Sequence, residues 1–312
     1  MNRRKFLKGS SVLAGLFALS PSVILSNDLG AINKKGKKAK NIIFLISDGM
    51  STGTLQMANL YSQNILGKNG NWMNLYKENK VSRALMDTAS ASSAVTDSAA
   101  ASSSFGGGHR VKNGVLNIGP NGEKYLPIWQ KFKNAGKKAG CVTTVTITHA
   151  TPAGFCVNSD SRNAENEIAE MYANLGLDVM MGGGDEFFNP SKRADKKDVY
   201  KIYEQKGYQV LKQKSDLENI KKGEKTLGVF NSGALPYTID RNNIEALQQT
   251  PTLAEMSAAA IDQMKDHKNG FVLMIEGGKV DWAAHANDIA ALIHDQLAFD
   301  EAVKTAIDFA EK

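Results

Sequence analysis

Ser98 stands in the run Val95-Thr96-Asp97-Ser98-Ala99-Ala100-Ala101, where a serine followed by alanines can open a helix with its hydroxyl bare. A helix N-terminus attracts phosphate through unpaired N–H groups and its dipole, which makes Ser98 a candidate nucleophile toward a phosphoryl group. Asp and Ser before an alanine run equally make an ordinary N-cap. The other chemistry-bearing residues lie where apolar runs end on metal-competent side chains: Ile46-Ser47-Asp48-Gly49, Ile147-Thr148-His149-Ala150-Thr151-Pro152 and Met274-Ile275-Glu276-Gly277-Gly278. The last run continues to Asp281 and His285, four residues apart. A helix beginning near Asp281 puts both on one face, and a carboxylate with an imidazole suits zinc. Taken singly, each ending reads as a capped turn and the Asp281–His285 pair as a surface helix pair. Three endings of one kind point to a common site.

The elements that must position these residues follow from hydrophobic patterning. Short apolar runs predict strands at 41–47, 141–148, 178–181, 226–230 and 270–275. Longer patterns predict helices at 126–135, 165–174, 253–266 and 296–310; Leu253, Met256, Ala260 and Met264 fall on one face. Strands alternating with helices argue for an α/β fold with a mainly parallel sheet flanked by helices. In an open parallel sheet, ligands bind outside the carboxyl ends of the strands, so the three endings converge on one crevice. Residues 192–225, rich in Lys, Asp and Tyr, read as a peripheral excursion with a small strand at 208–210. Gly106-Gly107-Gly108 and Gly182-Gly183-Gly184 read as turns; neither fits a dinucleotide or P-loop pattern, which argues against a nucleotide cradle.

Residues 1–30 read as an export signal, with basic Arg3, Arg4, Lys5 and Lys8 preceding an apolar segment interrupted by Gly15, Ser20 and Pro21. The paired arginines before Phe6-Leu7-Lys8 resemble the twin-arginine class, implying the twin-arginine export machinery as a partner and a periplasmic or extracellular location. An uncleaved signal would leave a membrane anchor. Residues 31–40 are a basic linker, and 41–312 form the catalytic domain. The first forty residues carry a charge of +8 against +6 for the whole chain, leaving the domain near neutral. That removes the support a high pI would lend to nucleic-acid binding. Cys141 and Cys156 cannot form a disulfide framework; export permits a bridge between them, and two buried thiols fit as well.

Together these residues resemble the alkaline phosphatase family. The resemblance is carried by Asp48-Gly49-Met50, Thr96-Asp97-Ser98-Ala99-Ala100, Ala150-Thr151-Pro152, Arg162, Glu276-Gly277, Asp281 and His285, in the family's order. It implies two zinc ions and a magnesium ion above the sheet, small phosphate monoesters as substrates, a phosphoserine intermediate and a homodimer. Asp48 would then bridge the second zinc and the magnesium, Ser98 would be phosphorylated and Arg162 would clamp the phosphate. Thr151 and Glu276 would complete the magnesium shell, while Asp281 and His285 would hold the first zinc. Arg162, in Asn158-Ser159-Asp160-Ser161-Arg162, reads as a solvated loop arginine without the resemblance.

Two residues depart from the pattern of many members. His149 stands near the magnesium position where many have aspartate, and a neutral imidazole suits magnesium less well than a carboxylate. Trp282 follows Asp281 where some members carry a charged or imidazole side chain. The family's remaining zinc ligands have no counterpart: His109 and His267 read as surface residues, and His294 is followed rather than preceded by an aspartate. The expectation is an N-terminal part of a longer exported phosphomonoesterase, with C-terminal strands missing. A phosphodiesterase of the same superfamily and a non-catalytic exported protein that binds phosphate or metal are the alternatives.

Overall fold

The continuous apolar runs become strands because a parallel sheet covered on both faces demands apolar residues on both. The computed structural model describes residues 39–312, so the export-signal reading and all of the linker except Ala39 and Lys40 lie outside the described residues. The strands are β1 (Ile42–Ser47), β2 (Lys138–Thr146), β3 (Val179–Gly183), β4 (Tyr208–Leu211), β5 (Lys225–Val229) and β6 (Phe271–Gly277). They form one sheet in the order β1-β6-β2-β3-β5-β4, every neighbouring pair parallel. The helices are α1 (Thr52–Ile65), α2 (Asn71–Lys77), α3 (Ser98–Gly107), α4 (Ile128–Asn134), α5 (Ala150–Cys156) and α6 (Glu165–Leu175). They continue with α7 (Val199–Gln205), α8 (Thr238–Asn243), α9 (Leu253–Met264), α10 (Lys279–His285) and α11 (Ile289–Ala310).

Alternate residues of each strand serve opposite layers, as the two-residue period requires. Phe44 and Ile46 of β1, Cys141 of β2 and Val272 and Met274 of β6 pack with Ala99, Phe155, Ile168 and Tyr172 of the α3, α5 and α6 layer. Leu45, Val142, Leu273 and Ile275 pack instead with Met256, Ala260 and Phe299 of α9 and α11. The fold is the α/β sheet expected from the pattern, and several boundaries move. β2 begins at Lys138, paired to Phe271, and ends at Thr146. Ile147 to His149 then turn into α5, with His149 N–H donating to Thr146 O over 3.0 Å. The last helix starts at Ile289, not 296, because Asp288 caps it through Ala291 N–H. No helix among the described residues is long and apolar enough to cross a membrane.

Packing bears out the edge strand and the buried thiols and corrects the glycine turns. Residues 192–225 contribute α7 and the edge strand β4, and Arg193, 2% exposed and paired with Asp195, ties them to the body through Glu170 and the Phe187 carbonyl. Cys141 lies within β2 and Cys156 ends α5; both are buried, unbridged thiols. Gly182 and Gly183 belong to β3, and Gly106 and Gly107 to α3; only Gly108 and Gly184 of the two triplets take positive φ.

The small residues of α3 serve close approach to α5. Ser102 donates to Ala150 O over 2.9 Å, and a Cβ on Gly106 would run into the carbonyl of Gly154. Gly106→Ala is therefore expected to destabilise the protein by about 3 kcal/mol through overpacking. For a domain of this size that lowers the unfolding midpoint by roughly 6–12 °C, measurable by calorimetry. An unchanged midpoint would mean that the two helices are not locked together at this point.

Candidate active site

Strand parity gathers the first three site residues. In β1, Phe44 and Ile46 face the α3 and α5 layer, and the same alternation brings Asp48 to that side just past the strand end. Glu276 follows Val272 and Met274 in the same phase on β6, and Thr143 follows Ala139 and Cys141 on β2. Glu276 is in register with Ile46 on one side and Thr143 on the other. Thr143 Oγ1 donates to Glu276 Oε2 over 2.6 Å. From the turn after β2 comes His149, the residue before α5, and from the first turn of α5 comes Thr151, whose Oγ1 lies 3.5 Å from Asp48 Oδ2.

Ser98 is the first residue of α3, capped by Asp97, whose Oδ1 accepts from Ala100 N–H over 2.9 Å. Its hydroxyl donates to Asp48 Oδ2 over 2.9 Å. Asp97 also holds the arginine, since its Oδ2 accepts from Gly114 N–H (2.9 Å) and from Arg162 Nη1 (3.0 Å). Arg162 Nη2 lies 3.2 Å from His149 Nε2. The arginine that reads from sequence as a loop cation is thus held at the site, half-buried, by the residue that caps the serine's helix. Across the cleft, Asp281 is in the first turn of α10, which begins at Lys279 rather than at Asp281. His285 Nε2 lies 3.5 Å from Asp281 Oδ1, and the imidazole is largely exposed. Gly49, at φ 61°, lets Asp281 lie against the backbone beside Asp48; any Cβ there would meet the Asp281 carboxylate.

The electrostatics of this cluster are those of acids forced together. Burial pushes the Glu276 carboxyl up to about 8, with Asp48's charge adding to it. Burial, followed by Asp281's charge, raises Asp48 to about 6, and burial also raises Asp281. His149 is lowered to about 4 by burial and then by Arg162, so its ring is neutral at pH 7.

Asp48, His149 and Glu276 offer ligand atoms all within 4.8 Å of one another. Glu276 Oε1 and His149 Nδ1 are buried without hydrogen-bond partners among the described residues. Two carboxylates, a nearby hydroxyl and an imidazole fit a divalent cation, the oxygens favouring a hard ion such as magnesium. Asp281 and His285 carry the carboxylate and imidazole that zinc takes. They form a pair only, since Asp48, His149 and Glu276 are the one group of three or more such residues gathered among the described residues. Both sets open on one cleft of about 900 Å³, lined also by Ser98, Asp97, Arg162, Thr96, Met50, Phe105, Tyr237 and Trp282.

This geometry has close relatives. The alkaline phosphatase family model matches residues 39–312. The chain belongs to the alkaline phosphatase family. Alkaline phosphatase 4 of Bacillus subtilis is 32% identical over 97% of this chain and 65% of its own length. The crystal structure of Thermus thermophilus alkaline phosphatase superposes with a TM-score of 0.83 at 38% identity, over 88% of this chain and 57% of that one. A histidine-to-aspartate mutant of the alkaline phosphatase of the Antarctic bacterium TAB5, solved with Mg bound in the M3 site, gives a TM-score of 0.73 at 28% identity. That superposition covers 87% of this chain and 74% of the mutant. The chain thus spans about 65% of the Bacillus relative's length and less of the Thermus enzyme.

All eight residues singled out in the sequence, Asp48, Ser98, His149, Thr151, Arg162, Glu276, Asp281 and His285, come together at this end of the sheet. Of the other histidines, His109 is exposed and stacked on Tyr125, His267 is only half-buried, and His294 meets Tyr61 edge-on. In the sequence Asp97 reads only as a cap, and Thr143 and Tyr237 belong to no motif. A threonine in phase with apolar residues of a buried strand is the signal that could have found Thr143.

Proposed function

We propose that this protein is an exported, metal-dependent phosphomonoesterase that works through a phosphoserine at Ser98. The observation that carries the reading is the Ser98 Oγ hydrogen bond to Asp48, made at a helix N-terminus beside a cation-competent cluster and a guanidinium held by Asp97. Family membership supports the phosphatase activity, and the Arg3-Arg4-Lys5-Phe6-Leu7-Lys8 start supports export through a twin-arginine route to the periplasm or beyond.

Arg162 offers two parallel N–H donors to a phosphoryl group, and Asp97 keeps the guanidinium from swinging away. The α3 N-terminus adds dipolar attraction for the same anion. Asp48 aims the Ser98 hydroxyl; an O–P bond to Ser98 forms as the ester's P–O bond breaks, and the alcohol leaves with a proton. Water then cleaves the phosphoserine, releasing inorganic phosphate and restoring the hydroxyl. Magnesium held by Asp48, Glu276, Thr151 and His149, and zinc held with Asp281 and His285, would supply Lewis acidity that eases serine ionisation and leaving-group departure. His149, neutral and engaged by Arg162, would be a poorer partner for magnesium than the carboxylates.

Assayed as the full-length protein with zinc and magnesium, a monoester such as 4-nitrophenyl phosphate is expected to be hydrolysed far faster than its bis-ester, with activity lost to a chelator and restored by metal. Faster diester cleavage would favour the phosphodiesterase alternative. Zinc binding without turnover of either ester would favour a binding protein.

A further inference from the structure

The phosphoryl end of the cleft is polar, but Met50, Phe105, Tyr237, Trp282 and Ala286 line much of the remainder. Two of these rings share one buried ammonium. Lys279, 6% exposed at the start of α10, places Nζ 3.5 Å from the Tyr237 ring centroid and 4.7 Å from that of Trp282. Cation–π attraction strengthens as the cation is desolvated, so this contact fixes both rings firmly. Tyr237 has a second anchor: Thr238 donates its N–H (3.1 Å) and its hydroxyl (3.2 Å) to Asp295 of α11, which is 4% exposed. Trp282 in turn meets His149 edge-on, ring centroids 6.1 Å apart. The rings sit in the same cleft as the candidate nucleophile, and residues from α8, α10 and α11 hold them there.

We propose that Tyr237 and Trp282 form an aromatic wall for the organic part of the substrate, with Lys279 as the positioning residue that sets both rings. Phosphate esters bearing a nucleobase or aryl face are then preferred over esters without one. The proposal rests on the phosphomonoesterase reading, because the wall selects among esters whose phosphoryl group Ser98 and Arg162 hold. A flat apolar face fits because stacking on a ring is indifferent to hydrogen-bonding pattern and needs only a π surface.

Adenosine 5′-monophosphate and ribose 5-phosphate make the test, since both release a primary alcohol and differ in the base. The kcat/KM ratio is expected to favour the nucleotide about tenfold, the scale of one base stacked on an aromatic side chain. In Trp282→Leu and Tyr237→Leu the ratio falls toward one. Lys279→Met lowers it chiefly through KM for the nucleotide, and Lys279→Arg restores it because a guanidinium also lies well over rings. If Lys279→Met does not fold, the two half-exposed ring variants decide. A wild-type ratio near one, or a ratio unchanged in these variants, overturns the wall and leaves the phosphatase reading standing. Turnover of neither ester removes the phosphatase reading instead, and equilibrium dialysis then judges the wall: tenfold tighter binding of the nucleotide supports it, and equal binding overturns it.

Discussion

Ser98→Ala is expected to lower monoester turnover by at least about a thousandfold, as loss of a covalent nucleophile does in other hydrolases. The fold should barely notice. Alanine suits the first turn of α3, the Asp97 cap to Ala100 N–H is untouched, and the contacts of Ser102 and Gly106 with α5 lie farther along the helix. Arg162 also keeps its Asp97 anchor, so inorganic phosphate should still inhibit with similar affinity where residual activity allows it to be read. The lost property is chemical: the Oγ that donates to Asp48 is the only atom removed. Steady-state kinetics give the rate, and acid quenching with a radiolabelled monoester gives a phosphoserine band in the wild type that the variant lacks. Turnover within tenfold of wild type, or a labelled band that survives the substitution, would sink the covalent mechanism and leave Ser98 as no more than the first residue of α3, bonded to Asp48.

The fold was legible because strands buried on both faces are mostly apolar, and five of the six lie on apolar runs; the edge strand β4 stands instead in the polar stretch 192–225. Their ends were less so, since β2 stops where His149 N–H turns back to Thr146, a tertiary choice invisible in composition. Helices with small or polar buried faces escaped the periodicity: α1 buries Thr54, Ala58, Asn59 and Ser62, and α3 buries alanine, serine and glycine. The site divides the same way. Asp48 and Glu276 announce themselves as carboxylates closing apolar runs, and the parallel sheet makes such ends converge. Arg162 could be placed only by family resemblance, because its partner Asp97 is 65 residues away and nothing local marks the pair. Tyr237 stands in a stretch with no motif, and only the meeting of α8, α10 and α11 brings its ring to the cleft.

The metal-free protein is expected to lose stability as pH rises from about 5 to 8, and divalent metal to restore it most at the upper end of that range. An acid whose pKa is higher folded than unfolded binds more protons in the folded state between the two values, so stability falls across that window. For Asp48 the window runs from 3.8 to about 6, and for Glu276 from 4.5 to about 8, burial leading in both and a neighbouring carboxylate adding to it. Below the window the carboxyls are neutral in both states and cost nothing; above it, charge is forced into the cluster. A bound cation reverses the preference by favouring the ionised carboxylates, so metal affinity climbs with pH as ligand protons are shed. Asp295 and Asp300, raised by burial elsewhere in the fold, tilt the wild-type profile the same way, and the comparison with Glu276→Gln isolates the site. The amide can still accept from Thr143 but cannot ionise, so the metal-free variant should be the more stable at pH 8, by roughly a few kcal/mol, with a flatter dependence on pH. It should also bind magnesium at least about tenfold more weakly than wild type, the scale of damage from disturbing a metal shell. Thermal unfolding with chelator, magnesium or zinc, at half-unit pH steps, reads all of this without an activity assay. A wild-type midpoint that rises with pH in chelator, or a variant that keeps the wild-type slope, would remove Glu276 from the metal cluster and leave its burial between β1 and β2 without a function.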